Sequence, residues 1–290
     1  MQIVNSIDDL RALVQKQRSL GQKIAFIPTM GNLHNGHLSL ITRAKQLADC
    51  VVVSIFVNPL QFGLTEDFST YPRTLQNDQD ALKNEHVDIL FLPDEKEIYP
   101  EGKDAATKVI VPEIADVLCG ASRPGFFTGV ATVVCKLLNM AQADIAVFGE
   151  KDFQQLLVIK RLVKDLNIPV QIESGAIVRE ASGLAMSSRN HYLSKQQRVT
   201  AAILYQALKN AATQLLSGTA DVAMIEQSQA AFLSESGFKP DYFSIRRRVD
   251  LQPAKLAKMP GNKPGDKQLI VLAAAYLADV RLIDNLMVDL

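Results

Sequence analysis

Residues 24–48 read IAFIPTMGNLHNGHLSLITRAKQLA, and the fold follows from how this stretch divides. Ile24-Ala25-Phe26-Ile27 is an apolar run long enough for a buried strand, closed by Pro28, which cannot donate to a sheet ladder. A loop carrying Gly31, Asn32, Asn35 and Gly36 follows. Leu40, Ile41, Ala44, Leu47 and Ala48 then recur at helical spacing on one face. A strand, a glycine-containing turn and a helix N-terminus make an anion site, because the first helical N–H groups lack helical partners and the dipole is positive there. His34 and His37 stand in this turn, three residues apart, so both imidazoles can lean toward whatever occupies the helix end. Phosphate is the expected occupant. Ordinary loop histidines would look the same; against that, the chain has 4 histidines and half of them fall within this short turn. Gly36 removes the Cβ that would block a phosphate, while an imidazole can donate to an oxyanion.

The same alternation extends in both directions. A helix is expected over Ile7–Leu20, ending at Gly21. Cys50–Val57 is β-branched, nearly unbroken and closed by Asn58-Pro59, as a central parallel strand buried on both faces should be. Further helices are expected over Leu75–Glu85, Val130–Met140 and Phe153–Leu166. Strands are expected over Asp88–Pro93, Lys108–Val111 and Ile145–Phe148, with Val170–Ile172 and Ala176–Val178 extended. Strands alternating with helices predict an α/β fold, a Rossmann-like doubly wound parallel sheet. Ligands of such sheets bind beyond the carboxyl ends of the strands, and Thr29–His37, Asn58–Gly63 and Gly149–Asp152 each follow such an end. After about residue 185 the pattern changes. Ser194-Lys195-Gln196-Gln197 reads as a capping box opening a long helix to Leu216. A helix over Val222–Ser236 follows, then strands over Asp241–Arg247 and Gln268–Ala275 separated by a Pro260–Gly265 turn. The expected organisation is a Rossmann-like domain over 1–184 and a smaller α+β domain over 185–290, linked near Glu180–Arg189.

At 290 residues and 48% hydrophobic, the chain can bury a large core. Lys+Arg 31 against Asp+Glu 31 leaves no net charge, hence no electrostatic footprint for nucleic acid or an anionic membrane. Its apolar runs are too short for a transmembrane helix, and MQIVNSIDDL lacks the basic and apolar regions of a signal peptide. Cys50, Cys119 and Cys135 are odd in number and lack CxxC spacing. They read as reduced thiols of a cytoplasmic protein, not as a zinc site or a disulfide frame.

Three further loops admit both a structural and a chemical reading. In Gly149-Glu150-Lys151-Asp152-Phe153-Gln154-Gln155, Asp152 and Gln155 are spaced as an N-cap and its third-position partner, which would simply close a helix. Lys151 is harder to explain that way: a cation at a helix N-terminus opposes the dipole and is tolerable when an anion lies between them. Asn58-Pro59-Leu60-Gln61-Phe62 is an ordinary post-strand turn, or else one wall of a pocket for a small hydroxylated acid. Gln61 would then supply one neutral amide and Gln155 the second. Met186-Ser187-Ser188-Arg189 is a hinge with an exposed arginine, or else a clamp whose hydroxyls and guanidinium match triphosphate oxygens.

HxGH after a strand resembles the signature of the nucleotidyltransferase superfamily, which includes the HIGH motif of class I tRNA synthetases. Six segments together resemble the pantoate–β-alanine ligase family far more specifically. They are PTMGNLHNGH (Pro28–His37), SIFVNPLQF (Ser54–Phe62), YPRTL (Tyr71–Leu75), FGEKDFQQ (Phe148–Gln155), GLAMSSRN (Gly183–Asn190) and RLIDN (Arg281–Asn285). They run in order over essentially the whole chain. The resemblance implies an ATP-dependent condensation of pantoate with β-alanine through pantoyl adenylate, releasing pyrophosphate and then AMP. It implies that Met30, Gly31, Asn32, Leu33, His34, Asn35, Gly36 and His37 line the ATP site, with both histidines on phosphates and His37 the proton donor. It adds Gly149, Glu150, Lys151, Asp152, Val178, Met186, Ser187, Ser188 and Arg189, of which Lys151, Ser187, Ser188 and Arg189 are the phosphate ligands. Catalysis would rest on His37, His34 and Lys151. Gln61 and Gln155 would hold pantoate, Gln61 also lying close to β-alanine. Mg2+ would ride on the triphosphate with few protein ligands, Asp78 being a candidate for its outer shell. A homodimer and a C-terminal lid are implied as well. One departure is Phe126, in Arg123–Gly129, which stands where the family usually has a histidine.

Two other classes stay open on sequence. A nucleotidyltransferase with a phosphorylated acceptor would need extra basic residues where this chain offers Gln61 and Gln155. A nucleotide-sensing module would bind ATP without releasing pyrophosphate. A tRNA synthetase is disfavoured, since the short, neutral chain has no evident tRNA-binding domain.

Overall fold

A computed structural model describes residues 1–63, 66–218, 221–255 and 266–290. The chain begins with β1 (Gln2–Val4), α1 (Ile7–Ser19), β2 (Ile24–Thr29), α2 (Asn35–Lys45), β3 (Cys50–Ile55) and a 3-10 turn (Pro59–Gln61). It continues through α3 (Leu75–Asn84), β4 (Ile89–Phe91), the single turns α4 (Glu95–Ile98) and α5 (Cys119–Ser122), and α6 (Phe126–Ala141). Then come β5 (Ile145–Gly149), a 3-10 turn (Glu150–Asp152), α7 (Phe153–Asp165) and β6 (Gln171–Gly175). Two compact units result, one of Met1–Glu150 with Gln154–Ile177, the other of Lys151–Phe153 with Val178–Leu290.

In the first unit six parallel strands lie in the order β1-β4-β3-β2-β5-β6. Ala25, Ile27, Val51, Val53, Ile145 and Val147 present one face to Leu40, Ile41 and Ala44 of α2. Phe26, Val52 and Ala146, one residue out of phase, are buried on the other face. Burial on both faces is why these strands read as unbroken apolar runs rather than alternating ones. The strand order reverses between β2 and β5, and this is where a doubly wound sheet binds its ligand. β2 pairs with β3 along its whole length but with β5 only at Ala25↔Ile145 and Phe26↔Ala146, so the sheet opens toward the carboxyl ends. That opening explains Pro28. The strand was expected to stop there; instead it runs on to Thr29 with Pro28 opposite Ser54, in the part of β2 that no longer pairs with β5.

Lys108–Val111 is not a strand. The Val109 N–H donates to Thr132 Oγ1 at 3.0 Å, and Ile110 is 70% exposed, so this stretch is held by one side-chain bond and not by a ladder. Ala176–Val178 likewise lies beyond the end of β6.

The second unit contains a 3-10 turn (Ser188–Tyr192), α8 (Lys195–Ala201), α9 (Ile203–Ser217), α10 (Val222–Glu235) and the antiparallel sheet β7 (Lys239–Arg247), β8 (Gln268–Leu277), β9 (Val280–Asp289). Ser194 and Gln197 form the expected capping box. The single long helix expected from there is divided at Ala202, where the backbone tightens: Ala202 N–H bonds Val199 O, and Tyr205 N–H bonds Ala202 O. Leu204, Leu208, Ala211 and Leu215 of α9 and Ile225 and Leu233 of α10 share a core with Ile245, Val271, Ala273 and Ala275 of the sheet. The Pro260–Gly265 turn lies outside the described residues. The last stretch of the first unit ends at Ile177, and the second unit takes over at Val178. The cause is local: Val178–Met186 doubles back through an Arg179↔Ala185 bridge, and Arg179 is ion-paired to Asp284 on β9. Among the described residues, no helix is long and apolar enough to cross a membrane.

Candidate active site

His34 is the N-cap of α2 and His37 its third residue, and the two cap each other's backbone. Gly36 N–H donates to His34 Nδ1 at 3.1 Å, and His34 N–H donates to His37 Nδ1 at 3.3 Å. The rings lie 4.1 Å apart at 31°. A nitrogen that accepts from an amide carries no proton, so each neutral imidazole holds its hydrogen on Nε2. The helix therefore begins with two ring N–H donors side by side, at the carboxyl end of β2, where its backbone dipole favours an anion.

The loop leading to this cap is latched by Asp78, a buried residue of α3. Its carboxylate accepts from Asn32 N at 2.9 Å and Leu33 N at 2.7 Å, and from the Thr74 hydroxyl. Gly31 and Asn32 both have positive φ, 77° and 51°. At Gly31 a Cβ would meet Asp78 Oδ2 and Ile55 Cγ2 at 3.0 Å, so both the turn and the close approach call for glycine. Both Asp78 oxygens hold this loop.

Gln61 follows β3 in the 3-10 turn and touches Met30, its Nε2 donating to Sδ at 3.0 Å. Its Oε1 accepts from Asn58 Nδ2 at 3.2 Å. Asn58, buried, does much more: its amide donates to Gly129 O, and its carbonyl accepts from Leu60 N and the Tyr99 hydroxyl. Burial, and secondarily Glu95, pushes the Tyr99 hydroxyl well above its usual range, keeping it a donor. Arg123 closes the other side. Its guanidinium holds Glu66 through two 2.6 Å bonds, donates to Gln61 O at 3.2 Å and lies 3.6 Å from the centroid of the Phe126 ring. Phe126 is thus a stacking platform for that cation. In the 3-10 turn after β5, Glu150 accepts from Ser174 Oγ of β6 at 2.7 Å. Gln154 is buried and braces Ile114, Val117 and Cys119, whereas Gln155 is half-buried.

The remaining positions belong to the second unit. Met186 N–H bonds Val178 O at 2.9 Å, so these two are brought together by the backbone. Ser187 caps the next turn, accepting from Arg189 N at 3.3 Å. Asn190, buried, ties that turn to Ala185 O and Glu180. Lys151 clusters here too, half-buried, its Nζ 3.9 Å from Asp152 and its carbonyl accepting from Asn285 Nδ2 at 3.0 Å. Asp284, next to Asn285, has its carboxyl raised above the usual range by burial, against the opposing pull of Arg179, the Asn285 backbone N–H and Lys151. Among the described residues no three His, Cys, Asp or Glu converge as a metal site.

Comparison with known proteins decides among the classes left open. A family model described as pantoate-beta-alanine ligase matches residues 2–287. The chain belongs to the pantoate-beta-alanine ligase family. It is 52% identical over 290 residues to the pantothenate synthetase of Pseudomonas aeruginosa UCBPP-PA14, covering 100% of both chains. With that of Hahella chejuensis it shares 50% over 287 residues, 99% of each. Among solved structures, pantothenate synthetase from Thermus thermophilus superposes with a TM-score of 0.88 at 41% identity, 99% of each chain being covered. The Francisella tularensis pantoate-beta-alanine ligase, described as complexed with Beta-gamma ATP and Beta-alanine, gives 0.80 at 38%, covering 99% of this chain and 97% of that one.

The α/β fold with a small antiparallel sheet is that of these pantothenate synthetases. Within the pantoate-beta-alanine ligase framework, three side chains have contacts that motif reading did not assign to them. Asn58 orients Gln61, Asp78 latches the loop at Asn32 and Leu33, and Asn285 holds the Lys151 carbonyl. For Asn58 a signal existed, since Asn-Pro after a buried strand reads as a cap. For Asp78 and Asn285 none did, because their partners are 46 and 134 residues away in sequence.

Proposed function

We infer that the chain condenses pantoate with β-alanine at the expense of ATP. The observation that carries this is the reciprocal histidine cap, two Nε2–H donors at a helix N-terminus beside the opening of the sheet, in a chain matched throughout by the ligase family. A carboxylate is a poor electrophile. Pantoate's carboxylate oxygen therefore attacks the ATP α-phosphorus, forming pantoyl adenylate as the bond to pyrophosphate breaks. The β-alanine amine next attacks the acyl carbon, forming the amide, and AMP leaves with the carboxylate oxygen it acquired. Charge builds on the phosphates in the first step, and donors fixed in advance stabilise it without reorganisation.

In this reading His34 and His37 donate from Nε2 to phosphate oxygens, with His37 the proton donor to the leaving group. Lys151, Ser187, Ser188 and Arg189 supply the remaining phosphate contacts. Met30–His37, Gly149, Glu150, Asp152, Val178 and Met186 enclose the nucleotide. Gln61 and Gln155 hold pantoate, whose hydroxyls and carboxylate suit neutral amides. The Asn58 brace and the Met30 contact support this by fixing Gln61 in one orientation. Mg2+ rides on the triphosphate. A homodimer rests on family resemblance alone. The cytoplasm is the proposed compartment, supported by the three cysteines, all free thiols.

The test is to follow nucleotides by chromatography with ATP, magnesium and pantoate, with and without β-alanine. AMP in quantity only with both acids, and pyrophosphate exchange with pantoate alone, is expected. Intact ATP that still protects the protein against thermal unfolding would replace catalysis with nucleotide sensing.

A further inference from the structure

Arg281–Asn285 lies on β9, and none of its residues is among those assigned to substrate. Two of them are nevertheless buried and polar: Asp284 at 4% and Asn285 at 3% exposure. Asp284 takes a bidentate pair from Arg179, at 2.6 and 2.9 Å. Arg179 also donates to Gly183 O and Asn285 O, and its guanidinium stacks 3.6 Å from the centroid of the Tyr205 ring. Asp284 Oδ1 accepts from Asn285 N–H at 2.8 Å. This buried pair thus fixes the backbone at Asn285 from two sides. From there the Asn285 amide reaches Lys151 O at 3.0 Å.

A buried ion pair is a weak source of net stability, because desolvation offsets the attraction; its geometric precision is what it offers. Lys151, for its part, stands before α7 in a turn whose helix dipole repels a cation, so the chain needs another hold on it. We propose that Asn285 is a positioning residue for the adenylation step, its amide anchoring the Lys151 carbonyl so that the ammonium is presented to the nucleotide phosphates, with Arg179 and Asp284 fixing Asn285 in turn. This rests on the reading of Lys151 as a phosphate ligand.

Asn285→Asp is the sharp variant: it keeps size and shape but sets an acceptor against the Lys151 carbonyl. In pantoate-dependent pyrophosphate exchange it lowers kcat about ten- to a hundredfold, the loss that follows displacement of a catalytic group by about 1 Å. KM for pantoate stays within about twofold, and in a Lys151→Ala background Asn285→Asp changes neither exchange rate nor ATP dissociation constant by more than about twofold, since its effect passes through a side chain already absent. The dissociation constant is measured by calorimetry, so an inactive Lys151→Ala enzyme still reports. Asn285→Ser carries the same test should the aspartate variant fail to melt cooperatively. Parental kcat in the Asn285 variant, or an equal loss in both backgrounds, overturns the proposal. A parent enzyme without pantoate-dependent exchange overturns the ligase reading itself, and a Lys151→Ala enzyme with parental exchange removes the premise about Lys151.

Discussion

Each imidazole of the α2 cap has two nitrogens and commits one to the backbone, which makes the same residue both structural and chemical. The two roles separate by substitution. Glutamine at the third helical position can reach back to the N-cap N–H as the histidine does. His37→Gln is therefore expected to melt within about 1 kcal/mol of the parent, the scale of one cap. Its exchange rate nevertheless falls about a hundred- to a thousandfold, as on removal of an oxyanion donor. His37→Ala loses both, and thermal melts run beside exchange assays read the difference. A second residue-scale expectation concerns Cys50. Burial, then Asp88 and Asp49, pushes its thiol from 9.0 to about 11. The folded protein thus holds a proton that the unfolded chain releases above pH 9.0. That contribution to stability is complete below pH 9.0 and is lost as pH rises toward about 11. Urea unfolding across this window should show stability falling with pH, and Cys50→Ala should flatten the slope.

Among elements, α6 packs directly against the turn Pro59–Gln61. A Cβ on Gly129 would lie 2.1 Å from Leu60 O and 2.8 Å from Gln61 N, both backbone atoms that cannot swing aside. Gly129→Ala should cost about 1–3 kcal/mol, the range of overpacking, and displace the turn carrying Gln61. Steady-state kinetics should then show KM for pantoate rising more than KM for ATP. Such joints are where sequence reading stops. Helix periodicity and helix-opening caps are legible because they are local: the Ser194 capping box and the histidine turn both lie where spacing places them. β1, three residues long, and β9, whose burial does not alternate cleanly, carry no comparable pattern. Lys108–Val111 has strand-like composition but, among the described residues, no strand pairs with it, which composition does not record. The roles of Asn58, Asp78 and Asn285 depend on partners far along the chain.

At the scale of the whole molecule, the chain crosses between its units three times, after Glu150, after Phe153 and after Ile177. Lys151–Phe153 is a three-residue excursion, packed with the carboxyl-terminal unit yet flanked on both sides by sequence of the other. A chain cut at Ile177 should therefore show no pantoate-dependent exchange, losing Ser187–Arg189 and the anchor of Lys151 together; the same assay on the purified fragment checks this. The reverse piece is incomplete too. A gene encoding residues 178–290 would make β9 with the Asn285 amide facing a carbonyl that it does not encode. Recombination at that junction, however neatly it falls between helices and strands, cannot pass on the second unit as a free-standing module: three residues of its fabric are inherited with the first.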